Sequence, residues 1–320
     1  MNLEGFPKKD DVKSSISKLD RLGFPLFKYG KDDIDDFVER ISNILLNEFG
    51  ILPNILQFFK NNEFSLSFYR AREVGDYSNI NLIREHSYPP INIVGMGRCN
   101  FPEYPVFYSS NSPLTALLEV TQNYGSTDKK YCISKWEIVP LEEQLVFQSF
   151  LQSQLPPENN FRPLKQNLMK RINEPFQKSL KKTLDKEREE GLLEYLKYLD
   201  TSFISDNTYS LSATLAHRAF YDNHNYRTDI LMYPSTQSMY KGVNLALHPN
   251  FVDNNLRLSR LYIVKLENNQ SNTNEVRVTF SNYAEVYKNV VFWEKIKKND
   301  QYFAKLVKED FGEITKNEFK

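Results

Sequence analysis

Residues 95–120 read GMGRCNFPEYPVFYSSNSPLTALLEV, and the interpretation of the whole chain starts from this stretch. Its glycines permit unusual backbone angles or the close approach of a ligand. Arg98 adds a planar cation that suits phosphate or carboxylate. Residues 105–109 are rich in β-branched and aromatic side chains, which predicts a strand. Ser112 followed by Pro113 predicts the start of a helix.

The predicted helix carries a single carboxylate. At about 100° per residue, its apolar side chains cover most of the helix circumference. Thr115 and Glu119, four positions apart, share the narrow polar stripe that remains. A mostly buried helix of this kind points Glu119 at one specific place. The alternative interpretation is a partly exposed glutamate at the edge of a core helix.

Length and charge limit the classes of function. The chain has 320 residues and a formal net charge of +0, so it holds one large domain or two smaller ones. The absence of excess Lys and Arg argues against a non-specific nucleic-acid binder. Cys99 and Cys132 lack the spacing of a zinc site, and a reduced setting is simpler than a disulfide. No apolar run suits a signal peptide or a membrane span, so we expect a cytoplasmic protein without a membrane partner.

Two helices are predicted near the N-terminus. A short one lies near residues 12–22. An amphipathic one starts at Asp32 or Asp33 and ends at Gly50. Together they predict a helical N-terminal extension over 1–60, which is either a small domain or a docking arm.

Alternation of apolar and polar residues over 64–72 predicts the next strand. This strand places Tyr69 and Arg70 on opposite faces, with Arg72 on the face of Arg70. The alternative interpretation is that these arginines face solvent, as most arginines do.

The second half of the chain mixes helices and strands. The charged helical pattern at about 156–200 predicts a solvated insertion, because too few heptads run uninterrupted for a coiled coil. Further helices are predicted at 209–222 and 293–307. Strands are predicted at 131–140, 230–233, 243–248, 261–266, 276–280 and 288–292. Because no regular βαβ alternation appears, the fold class is predicted to be α+β rather than a doubly wound sheet.

Two common chemistries fit the sequence poorly. Gly95 and Gly97 lack the third glycine of a dinucleotide fingerprint, and a strand rather than a helix follows them. His217 is compatible with a nucleophilic pair with Cys132 or Ser235. A lone histidine on a helix is more often structural.

Three stretches together resemble the RES-domain family, which is named for its Arg, Glu and Ser residues. GRCNFPEYPVFYSSNSPLTALLEV at 97–120 resembles the family's GGRWNP, a short spacer, and VxYxxxSPxxALxEV. FYRAR at 68–72 resembles its first motif, and MYPSTQSMYKGVNLALHP at 232–249 resembles its last. The resemblance covers about residues 65–249. Cys99 stands where the motif has tryptophan, which alters the pocket shape beside Arg98 but not its charges.

The resemblance implies a fold and an activity. The fold is an ADP-ribosyltransferase-like mixed or antiparallel sheet core with flanking helices, placed at 61–320 with the insertion at about 156–200. Known members are toxins of bacterial toxin–antitoxin pairs that break the nicotinamide–ribose bond of NAD+ by hydrolysis or phosphorolysis. Some modify a protein by ADP-ribosylation. The typical partner is an antitoxin whose C-terminal segment occupies the active site.

The same resemblance predicts an NAD+ glycohydrolase or phosphorylase. NAD+ is its substrate, and no further cofactor or metal is expected. A homodimer through the N-terminal helix is an open possibility. Two alternatives remain: transfer of ADP-ribose to a protein acceptor, and a degenerate, non-catalytic NAD-binding module, for which Cys99 is the main support.

Residue roles follow from the family motifs. Arg70 and Arg98 are expected to hold the phosphates or the adjoining ribose. Glu119 is expected to stabilise positive charge on the ribose in the transition state. Tyr108 is expected to stack on the cationic nicotinamide, and Ser235 to hold Glu119 or the amide region.

The predicted catalytic set is therefore Glu119, Arg70 and Ser235. Further substrate-binding residues are expected to be Arg98, Tyr108, Gly97, Asn100 and Tyr69. Without the resemblance, Tyr108 reads equally well as a core aromatic, and Ser235 as a turn residue after proline.

Overall fold

The chain divides into two compact units. A computed structural model describes residues 5–54, 56–60, 66–121, 128–139, 144–150, 155, 159, 162, 184–221, 227–267 and 277–312. The first unit comprises Met1–Phe58, Pro90–Pro105 and Val146–Pro234, and the second Phe59–Pro89, Val106–Leu145 and Ser235–Lys320. Nearly all of the predicted N-terminal extension therefore belongs to a unit that also contains later parts of the chain.

The described residues form a mixture of helices and ten strands. The helices are α1 (Lys9–Leu22), α2 (Ile34–Phe49), α3 (Pro113–Thr121), α4 (Lys186–Ser205), α5 (Ser210–Tyr221), α6 (Pro249–Asn255) and α7 (Gln301–Phe311). The strands are β1 (Leu56–Lys60), β2 (Ser67–Glu73), β3 (Phe107–Ser110), β4 (Lys130–Ile138), β5 (Gln144–Ser149), β6 (Ile230–Pro234), β7 (Val243–Leu247), β8 (Leu256–Glu267), β9 (Arg277–Tyr287) and β10 (Val290–Lys295). The predicted α+β class is confirmed.

The second unit is built on an antiparallel sheet. Its strand order is β7-β3-β2-β4-β8-β9-β10, and every neighbouring pair is antiparallel. Strand β2 pairs with β4 along its whole length. With β3 it shares one paired position, Tyr69 with Ser110. The ladder between β2 and β3 is therefore short, and it stops beside the predicted site residues.

Helix α3 packs on one face of this sheet. The Oγ of Ser112 accepts a hydrogen bond from the backbone N–H of Thr115 at 3.1 Å, which confirms the predicted start of the helix. Ala116 and Leu117 belong to one buried cluster with Tyr69 and Ala71 of β2.

The buried face of α3 differs from the predicted one. Thr115 is 4% exposed although it was expected on the polar stripe, whereas Val120 is 42% exposed. Contacts with the sheet and with a neighbouring loop, rather than apolar character alone, select the buried positions.

The first unit contains the helices α1, α2, α4 and α5, together with β6 and most of β1 and β5. Strands β5 and β6 are parallel. The ring of Tyr195 on α4 stacks on Phe49 of α2 with centroids 3.9 Å apart, and its hydroxyl donates to the carbonyl oxygen of Ile51 at 3.1 Å. Helix α4 is thus a core helix of this unit.

Several sequence predictions need correction. The segment at about 156–200 lies outside the described residues over most of its length. Its described end forms α4, which buries many side chains and is not a solvated insertion. The predicted helix at 293–307 is wrong at its start, because β10 continues to Lys295 and α7 begins at Gln301. Strands β1 and β5 and helix α6 were not predicted.

Gly191 in α4 allows the chain before α1 to approach closely. A Cβ at this position would lie 2.7 Å from the carbonyl oxygen of Pro7 and 3.1 Å from backbone atoms of Lys8 and Lys9. On helix propensity alone, Gly191→Ala would raise the free energy of unfolding by about 0.5–1 kcal/mol. Because backbone atoms cannot give way, we expect a net loss of about 1–3 kcal/mol in the free energy of unfolding, measured by urea titration with circular dichroism.

Gly95→Ala is the matched control. No heavy atom lies within 4 Å of a Cβ placed there, so we expect a change of at most about 0.5 kcal/mol. A Gly191→Ala protein as stable as the native chain would contradict the close approach of Pro7.

Candidate active site

The carboxylate of Glu119 is held by two hydrogen-bond donors from distant parts of the chain. Its Oε1 accepts from the hydroxyl of Ser235 at 2.5 Å and from Nδ2 of Asn244 at 2.7 Å. The side chain is half-buried. Among the described residues, no hydrogen bond reaches Oε2. The described contacts therefore fix one oxygen of the carboxylate, Oε1.

Ser235 is aimed at Glu119 by the turn that follows β6. Its backbone N–H donates to the carbonyl oxygen of Gly242 at 3.0 Å, and its carbonyl oxygen accepts from the N–H of Tyr240 at 2.8 Å. Its Oγ also accepts from the N–H of Ser238 at 3.1 Å. The serine is completely buried, so this hydroxyl is fixed on both its donor and acceptor sides.

Gly242 lets this turn reach helix α3. A Cβ on Gly242 would lie 2.1 Å from Oγ1 of Thr115, far inside van der Waals contact. Thr115 lies one helical turn before Glu119. The glycine therefore brings the turn that carries Ser235 against the helix that carries the carboxylate.

Asn244 and Ser110 complete the support of Glu119, and sequence analysis missed both. They are opposite one another in the pairing of β3 with β7. The hydroxyl of Ser110 donates to Oδ1 of Asn244 at 2.8 Å, which leaves Nδ2 to face Glu119. A single polar residue inside the apolar strand VNLAL was the available signal, because asparagine is depleted in strands.

Arg70 does not contact this carboxylate. Its neighbours Tyr69 and Ala71 face α3, and alternation along the strand directs Arg70 to the other face, as predicted. Its Nη1 donates to the carbonyl oxygen of Tyr108 at 3.0 Å, and its guanidinium lies over the ring of Phe107 at 5.6 Å.

The Nε of Arg70 is buried and makes no hydrogen bond. Burial lowers the pKa of this guanidinium, and the phenols of Tyr77 and Tyr108 partly oppose that shift. Arg70 follows the single paired position of the β2–β3 ladder, and it contacts the backbone of Tyr108 from the sheet face opposite to the Tyr108 ring.

The two predicted tyrosines have different surroundings. Tyr108 is half-buried and shares its sheet face with Ser110 and Asn244, since alternate residues of paired strands face the same way. Tyr69 is 5% exposed, and its hydroxyl donates to Oδ1 of Asp310 at 3.2 Å. Burial raises the pKa of Tyr69. Tyr108 thus lies half-buried on the sheet face that carries Asn244, whereas Tyr69 belongs to the core.

The remaining predicted residues, Arg98, Gly97 and Asn100, lie in the first unit. The Nη1 of Arg98 donates to the carbonyl oxygens of Phe203 and Asp206 at the end of α4. Gly97 and Asn100 form a small backbone bridge. The Nδ2 of Asn100 donates to the carbonyl oxygen of Gly95 at 2.6 Å. In the structure, Gly97 and Asn100 stabilise their own loop, and Arg98 stabilises the end of α4.

Comparisons with known proteins bring no relative to this geometry. No family model matches the chain, and neither does any curated protein or solved structure. Within the described ranges, none of the helices combines the length and apolar character needed to cross a membrane. The same ranges contain no cluster of three His, Cys, Asp or Glu side chains arranged for a metal ion.

Cys132 is not set up as a nucleophile. Its Sγ lies 4.0 Å from Nδ1 of His86. Burial raises the pKa of the thiol to about 12 and lowers the pKa of His86, so both groups are neutral at neutral pH. His217 belongs to the first unit, where the ring of Tyr104 packs against it.

We expect both thiols to resist modification in the native protein. Burial raises the pKa of Cys132 well above pH 8, so its thiol stays protonated there, and Cys99 is fully buried. Dithiobis(nitrobenzoate) should therefore release colour only after concentrated guanidinium chloride is added. Rapid labelling of one thiol in the native protein would restore the cysteine nucleophile as an alternative.

Proposed function

We propose that this chain is an NAD+-consuming enzyme that cleaves the nicotinamide–ribose bond by hydrolysis or phosphorolysis and acts as a bacterial toxin or defence effector. The observation that carries the proposal is the carboxylate of Glu119, with Oε1 bound by Ser235 and Asn244 and with Oε2 unoccupied by any described residue. The choice of NAD+ as the substrate comes from the resemblance of the motifs to those of the RES-domain family. A separate antitoxin chain is the partner that this resemblance implies.

A fixed carboxylate suits the cleavage of a cationic N-glycoside. When the C–N bond breaks, its electron pair leaves with nicotinamide, which departs neutral. The ribose carbon is left with oxocarbenium-like positive charge. A preorganised anion stabilises this charge more in the transition state than in the ground state. An oxygen of water or phosphate then bonds to that carbon, and in the case of water the proton passes to solvent.

The surroundings of Glu119 support the same chemistry. Tyr108 shares the sheet face of Asn244, and an aromatic ring there suits a cationic nicotinamide. The side chain of Arg70 lies on the opposite face of the sheet from Tyr108 and Asn244, so its expected phosphate contact rests on the resemblance alone. Arg98 is bound to two backbone carbonyl oxygens, which makes it the weakest of the expected substrate contacts.

Glu119→Gln tests the proposal directly. Glutamine keeps an acceptor oxygen for Ser235 and Asn244, so the fold should persist, but the negative charge is lost. We expect the rate of nicotinamide release from NAD+ to fall by about a hundredfold or more, measured by chromatography with and without phosphate.

Glu39→Gln is the control, because Glu39 is an exposed residue of α2 and its loss should leave the rate unchanged.

The reaction products identify the acceptor of the ADP-ribosyl group. ADP-ribose indicates hydrolysis, its phosphate ester indicates phosphorolysis, and labelled protein in a lysate indicates transfer. If the native chain binds NAD+ tightly and releases no nicotinamide, the proposal fails and the non-catalytic module takes its place.

Arg70→Lys tests the expected phosphate contact. Lysine keeps the charge but loses the two-point fork that matches phosphate oxygens. We expect KM for NAD+ to rise about tenfold while the kinetics with nicotinamide riboside, which has no phosphate, stay unchanged. An equal effect on both substrates would assign Arg70 to the sheet rather than to the phosphates.

A further inference from the structure

We propose that Asn244, held by Ser110, is a positioning residue that determines which oxygen of Glu119 meets the substrate. This inference rests on the proposed function for its consequence in catalysis, but the arrangement itself is visible in the second unit. Neither residue has a role in the motif-based assignment, which ends at Ser235.

The first argument concerns the orientation of the Asn244 amide. Asn244 is 6% and Ser110 2% exposed, so both polar groups need protein partners. Ser110 donates to Oδ1 at 2.8 Å, and Nδ2 then donates to Glu119 at 2.7 Å. The reversed amide would place Oδ1 against the carboxylate, acceptor against acceptor. The orientation of the Asn244 amide is therefore fixed by Ser110 at Oδ1 and by Glu119 at Nδ2.

The second argument concerns the two oxygens of the carboxylate. Ser235 and Asn244 come from different elements, and both donate to Oε1. Two donors on one oxygen fix the rotation of the carboxylate plane. Oε2 is left as the oxygen that meets the ligand. Asn244 thus acts on the substrate through Glu119 and not by direct contact.

The third argument is that strand register, rather than local sequence, sets the geometry. Ser110 and Asn244 are direct partners in the β3–β7 ladder. Asn111 continues this ladder, because its side chain accepts from the N–H of Val243 at 2.8 Å. The distance between Ser110 and Asn244 is therefore determined by the sheet.

The test compares two adjacent serines of β3. Ser110→Ala removes the bond to Asn244. Ser109→Ala removes a similar bond, from a serine 6% exposed, to the carbonyl oxygen of Leu245 at 3.0 Å. We expect Ser110→Ala to lower kcat for nicotinamide release about tenfold, with little change in KM. Ser109→Ala should change neither quantity.

Asn244→Asp is a second, nearly isosteric variant. It replaces the Nδ2 donor by a carboxylate oxygen, which places acceptor against acceptor at Oε1 of Glu119. We expect kcat to fall further than in Ser110→Ala, again with little change in KM. This variant keeps the proposal testable if Ser110→Ala folds poorly.

A measurement without turnover separates the two proposals. The side-chain amide signals of Asn244 in a nitrogen-15 spectrum, assigned by their loss in Asn244→Asp, report the hydrogen bond to Glu119. We expect these signals to shift in Ser110→Ala and in Glu119→Gln, and to stay unchanged in Ser109→Ala. If these shifts occur but the native chain releases no nicotinamide, the positioning pair stands and the proposed function fails.

Two results would overturn the positioning role. One is a Ser110→Ala protein whose Asn244 amide signals and kcat both match those of the native chain. The other is an equal loss in Ser109→Ala, which would show that the effect comes from general packing of β3.

Discussion

The double hydrogen bond to Oε1 of Glu119 is the interaction on which the arrangement of the site depends. Ser235 is 116 positions and Asn244 is 125 positions from Glu119 in the chain. The bonds therefore exist only if α3, the turn after β6, and the β3–β7 ladder all form. Each of these has its own local device: the Ser112 cap, the close approach at Gly242, and the register of Ser110 with Asn244. If one of these elements did not form, the carboxylate would lose at least one of its two hydrogen-bond donors.

Local rules in the sequence were enough to predict parts of this arrangement. The cap at Ser112, the alternation that separates Tyr69 from Arg70, and the short strand before α3 follow from residue types over a few positions. The resemblance to the family motifs also predicted that Glu119 and Ser235 belong to one site, and their side chains are hydrogen-bonded in the structure. Their roles in catalysis remain predictions.

What the sequence could not show depends on pairing between distant segments. Asn244 looks like a weak strand residue until Ser110 lies opposite it. Thr115 looks like a surface residue until Gly242 packs on it. The helix predicted from Trp293 failed because pairing with β9 extends β10 to Lys295. Arg98 illustrates the same limit for charges, because its hydrogen bonds go to carbonyl oxygens at the end of α4, where a helix favours a cation.

A second carboxylate in the same unit shows how a purely structural acid is arranged. Asp310 has a side chain that is 0% exposed, and ion pairs with Lys135 and Arg260 occupy both of its oxygens. The hydroxyls of Tyr69 and Tyr262 donate to it as well. Such saturation is what a buried charge requires.

Glu119 differs from Asp310 in each of these respects. It is half-buried, has no ion pair among the described residues, and receives both of its hydrogen bonds on one oxygen. A carboxylate serving only stability would gain from a cation or from a donor to its second oxygen. The protein instead orients this anion with neutral donors and leaves one oxygen without a described partner. Under the proposed function, the positive partner of this anion is the substrate itself.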